Sequence, residues 1–128
     1  MSEVKTLMDF VKAAKSQITE VEVQEVNALL ENGYQVLDVR EPMEFAAGTI
    51  GGAFNVPRGV LEAASDLQYP GRNKNLQDRD KKWLLVCATS GRSAMAASVM
   101  QQMGFNNIKN INGGMAAWKA ANMDVVTP

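Results

Sequence analysis

Short apolar runs alternate with helix-patterned segments along this chain, and that alternation restricts it to a parallel sheet covered by helices on both faces. Trp83 to Cys87 is the clearest strand, an unbroken apolar run too short for a helix. Gln35 to Val39, Ala53 to Val56 and Ile108 to Ile111 read as further strands. Leu7, Phe10, Val11 and Ala14 share one face of an amphipathic helix over residues 3–15, expected to pack as an appendage. Thr19 is the expected N-cap of a second helix, with Glu22 at the capping-box position, Val23, Val26, Leu29 and Leu30 as its apolar face and Gly33 as its stop. Pro42 opens a turn of helix carrying Met43, Glu44 and Phe45, and another short helix covers Val60 to Ser65. Ser93 to Met103 forms a helix closed by Gly104, and Gly114 to Ala121 forms the last. The 128 residues fit one domain, divided into a helical extension over 1–17 and a main body over 18–128.

The strand at Trp83 runs directly into Cys87-Ala88-Thr89-Ser90-Gly91-Arg92-Ser93, which holds the only cysteine. A cysteine between a buried strand and a helix N-terminus sits where backbone N–H groups converge. Those donors and the helix dipole favour an anion, and the thiolate is the nearest one. The competing reading is an inert buried thiol. In open sheets ligands bind beyond the carboxyl ends of the strands, and Asp38-Val39-Arg40 marks a second such end. Asp38 is expected to hold backbone N–H groups, and Arg40 to serve either structure or substrate attraction. Arg92 either neutralises the site or pairs with a carboxylate such as Glu44 to hold the loop. Arg58, just after Pro57, is placed to attract an anionic substrate.

Composition removes the common alternatives. The chain has no histidine, so Ser-His and Cys-His pairs, His-ligated zinc and histidine bases are impossible. No metal and no organic cofactor is expected. A net charge of -1 gives no footprint for nucleic acid and no polybasic membrane patch. Met1 to Lys15 lacks the apolar core of a secretory signal, and one cysteine suits a reducing, cytoplasmic setting.

From about Ile18 to Met123 the chain resembles the single-domain rhodanese-like (thiosulfate sulfurtransferase-like) proteins. Four segments carry the resemblance: Leu37 to Glu41 with Glu44-Phe45; Ala47 to Ala53 with Asn55-Val56-Pro57; the Cys87–Ser93 loop; and Gly113 to Trp118. Thr49 and Gly51 stand where the family usually has histidine and proline. Ser90, followed by Gly91, stands where its loop more often has glycine. The resemblance implies a three-layer α/β/α fold on a five-stranded parallel sheet in the order 1-5-4-2-3. It also implies sulfane-sulfur transfer from thiosulfate or a persulfide to a thiophilic acceptor, through a persulfide on Cys87. Backbone groups of Ala88, Thr89, Ser90, Gly91, Arg92 and Ser93 would cradle that anion. The alternatives are a persulfide carrier in a sulfur relay with another protein, or a non-catalytic protein-docking module. Related phosphatases carry arginine six residues after cysteine in a longer loop; here Arg92 follows Cys87 by five, which argues against phosphate chemistry.

Overall fold

The computed structural model describes residues 3–128. Five parallel strands run in the order β1-β5-β4-β2-β3. They are β1 (Thr19–Val21), β2 (Gln35–Asp38), β3 (Phe54–Asn55), β4 (Lys82–Val86) and β5 (Asn107–Ile111). The helices are α1 (Leu7–Lys15), α2 (Val23–Glu31), α3 (Pro42–Ala47), α4 (Leu61–Ser65), α5 (Gly91–Gln102) and α6 (Gly114–Ala120), with 3-10 turns at Arg58–Val60 and Lys74–Leu76. Among the described residues no helix is long and apolar enough to cross a membrane.

The unbroken apolar run of β4 follows from burial on both sides. Successive strand residues point to opposite faces, so Trp83, Leu85 and Cys87 enter one core with Ala96, Ala97 and Met100 of α5. Leu84 and Val86 enter the other, with Val26 of α2 and Met115 and Trp118 of α6. Cys87 therefore projects toward the α5 side. On that same side α1 packs against α5 through buried Val11 and Ala14.

One expectation is overturned at the start of the sheet. Thr19 is not a helix cap: Thr19-Glu20-Val21 pairs in parallel with Lys109-Asn110-Ile111, forming edge strand β1. Glu22 is the N-cap instead, and its N–H donates to Glu25 Oε2 at 2.7 Å. The apolar face of α2 falls where its spacing places it, and Gly33 follows the helix with φ of 91°.

Candidate active site

Cys87 lies at the carboxyl end of β4, just past the last residue paired with β2. Ser90 turns the chain into α5 with φ of 96°, a left-handed conformation that costs a non-glycine residue about 1–2 kcal/mol. This locates the loop's positive-φ position: it falls on Ser90, where the resembled family more often has glycine, while Gly91 is already helical.

The turn aims donors at the sulfur. Ser90 N–H donates to Cys87 Sγ at 3.1 Å, and Ser93 Oγ lies 3.3 Å from it. Ser93 Oγ is also 3.3 Å from the Ser90 carbonyl, so its single proton serves one acceptor at a time. From below, Met115 and Ala116 donate their N–H groups to the Cys87 and Ala88 carbonyls at 2.8 and 3.0 Å. These bonds fix the Cys87 and Ala88 carbonyls against α6, on the far side of the turn whose Ser90 N–H meets the sulfur. Gly114 makes the approach possible: its φ is 56°, and a Cβ there would overlap the Cys87 carbonyl.

Two side chains that the sequence did not single out, Lys15 and Asn110, hold the strained serine, and a third, Glu20, ties them together. Lys15 Nζ of α1 donates to Ser90 Oγ at 2.9 Å and lies 3.5 Å from Glu20 Oε2. Asn110 of β5 is fully buried and donates to Glu20 Oε2 at 3.0 Å and to the Ser90 carbonyl at 3.4 Å. The signal that could have found Asn110 is a polar residue inside an apolar strand. Lys15 had no local signal, since its partner lies 75 positions away.

The three arginines that the sequence singled out, Arg40, Arg58 and Arg92, each close onto a carboxylate. Arg92 grips Glu44 with two parallel hydrogen bonds of 2.8 and 2.9 Å. That guanidinium holds the Glu44 carboxyl well down, from 4.5 to about 2, and the carboxylate in turn raises the Arg92 pKa. Glu44 Oε1 also accepts the Glu41 N–H at 3.1 Å, so one carboxylate caps α3 and braces the cysteine loop.

Arg40 is buried and bound to Asp38, with Nη2 at 2.7 Å from Oδ2 and Nε at 3.0 Å from Oδ1. Asp38 does accept a backbone N–H, that of Arg40 at 3.0 Å, but the guanidinium is its main partner. Thr49 Oγ1 completes this knot with a 2.8 Å bond to Asp38. Buried Arg40 also donates to the Gly48 carbonyl at 2.6 Å, so of the two roles the sequence left open it takes up the structural one here. Arg58 pairs with Glu62 at 2.8 Å and lines a hollow with Phe10, Ala13 and Met95.

Above Cys87 opens a cavity of about 440 Å³. Thr89, Ser90, Gly91 and Arg92 form its loop side; Ala88 is not in its lining. The remaining wall is supplied by Leu7, Met8, Val11 and Lys15 of α1, with Met95 of α5.

Residues 22–121 match the rhodanese-like domain family. The thiosulfate sulfurtransferase GlpE of Pseudomonas aeruginosa is 31% identical over 100 residues, 76% of this chain and 80% of that protein. Thiosulfate sulfurtransferase 16 (chloroplastic) of Arabidopsis thaliana is 33% identical over 101 residues, 77% of this chain and 84% of that one. A solved structure from Rhodopseudomonas palustris, a protein of unknown function described as a possible tyrosine phosphatase, superposes with a TM-score of 0.89. It is 32% identical, and the match covers 98% of each chain.

Proposed function

The chain belongs to the rhodanese-like domain family and is related to sulfurtransferases, and on that footing we propose that it moves a sulfane sulfur through a persulfide on Cys87. The observation that carries this reading is the environment of Cys87 Sγ. It stands at a strand end, receives Ser90 N–H at 3.1 Å with Ser93 Oγ at 3.3 Å, and borders a cavity.

In the first step the Cys87 thiolate attacks the outer sulfur of a donor such as thiosulfate. A Cys87 Sγ–S bond forms, the donor's S–S bond breaks, and sulfite leaves with the bonding pair. The amides around the loop and the Ser93 hydroxyl stabilise the negative charge first on Sγ and then on the outer sulfur. In the second step a thiophilic acceptor, cyanide or a thiol, takes that sulfur and returns the thiolate. The chemistry calls for no metal or organic cofactor, and its single unpaired thiol suits a reducing compartment such as the cytoplasm.

Intact mass after exposure to thiosulfate tests the reading: the protein gains one sulfur atom, and Cys87→Ser gains none. Turnover with cyanide then separates a free-standing enzyme from a carrier loaded by a partner protein. A phosphatase reading has the description of the Rhodopseudomonas protein in its favour. Against it, Arg92 is committed to Glu44 by two bonds and the loop is short for a tetrahedral phosphate. Hydrolysis of p-nitrophenyl phosphate at a rate above that of Cys87→Ser would reverse this preference.

A further inference from the structure

The wall that α1 places over Cys87 bears on which donor the site takes. This helix precedes residue 22, where the family match begins, while the 98% match to the Rhodopseudomonas structure extends over it. It is firmly started: Thr6 and Asp9 exchange hydrogen bonds in a capping box. It is also anchored, through buried Val11 and Ala14 and through the bond from Lys15 to Ser90. Yet Leu7 and Met8 remain 67% and 58% exposed while lining the cavity. A cavity of about 440 Å³ falls among small-molecule sites of about 300–1,000 Å³. Thiosulfate, a compact and strongly hydrated dianion, neither fills it nor matches an apolar wall. Nor does the site offer an unpaired cation, because Arg92 is held by Glu44 and Lys15 is shared between Ser90 and Glu20.

We propose that the preferred donor is an organic persulfide or thiosulfonate whose apolar group lies against Leu7, Met8, Val11 and Met95 while its outer sulfur meets Cys87. The inference rests on the sulfur-transfer reading and names its substrate class. With a thiosulfonate, the Cys87 thiolate attacks the terminal sulfur, a Sγ–S bond forms, the donor's S–S bond breaks, and a sulfinate leaves with the electron pair. With a persulfide the leaving group is the thiolate of the organic residue. Each methylene fully buried against the wall raises the loading efficiency roughly fourfold.

The test is single-turnover loading of the full chain, followed by intact mass. Thiosulfate is compared with methane-, butane- and hexanethiosulfonate, on wild type and on Leu7→Ser/Met8→Ser. Both substituted side chains are mostly exposed, so the fold survives, and Leu7→Gln alone provides a second, uncharged variant. In wild type, loading efficiency rises by roughly tenfold or more from the methane to the hexane donor. In both variants that rise, measured relative to thiosulfate loading of the same variant, shrinks to within roughly threefold. A flat series in wild type, or a rise that survives both variants, overturns the assignment of the wall. If no donor adds sulfur to Cys87, the sulfur-transfer reading itself fails.

Discussion

Ser90 concentrates the local cost of the site. A residue with φ of 96° would be relieved by glycine, but glycine discards the hydroxyl that binds Lys15 at 2.9 Å. Ser90→Ala keeps the strain and loses the bond, so it is expected to melt lower than Ser90→Gly by the equivalent of about 1 kcal/mol. Equal melting temperatures would mean that the backbone here is not strained. The Arg92–Glu44 pair yields a prediction with a defined sign. Glu44 is lowered from 4.5 to about 2 in the folded protein, so its contribution is complete above pH 4.5 and disappears as pH falls toward 2. The stability gap between wild type and Glu44→Gln should therefore be constant near neutrality and close below pH 4.5. It should stay under about 1 kcal/mol, because both side chains are more than a third exposed. Arg92→Ala, which frees the loop, is expected to lower kcat for every donor rather than raise KM for thiosulfate alone. A donor-selective KM effect with unchanged melting temperature would assign Arg92 to substrate instead.

At the level of elements, the sequence was most legible where burial is two-sided or where an apolar stripe is local. The β4 run, the stripe of α2 and the helix after Cys87 all carry their signal within a dozen residues. Strand β1 did not, because three residues with only Val21 buried hold no alternation; pairing with β5 makes them a strand. Arg40 and Arg58 were less legible for a related reason. Their positions after strand ends were visible, but their partners, Asp38 with Thr49 and Glu62, settle where each guanidinium goes. The seam between α6 and the cysteine loop is the element-level feature most exposed to test. In Gly114→Ala a methyl group meets the Cys87 carbonyl, so α6 must shift and carry the Met115 and Ala116 amides with it. The expected result is a loss of at least about 2 kcal/mol in stability and of most sulfur loading, read by thermal melting and intact mass. Wild-type loading in that variant would show that the seam does not set the loop.

For the molecule as a whole, the parallel order β1-β5-β4-β2-β3 places Cys87 and the Asp38–Arg40 knot after adjacent strands. That neighbourhood brings Glu44 within reach of Arg92, across 48 positions of sequence. It also leaves each arginine around the site closed onto a carboxylate of the same chain, in a protein whose net charge is -1. The consequence lies in how substrate arrives. Without an unbalanced positive field at the mouth, an anionic donor finds the cavity by unassisted diffusion. Ionic strength then has little to screen. The second-order rate constant for thiosulfate should change by less than about twofold between roughly 10 and 200 mM salt, whereas a steered encounter would slow severalfold.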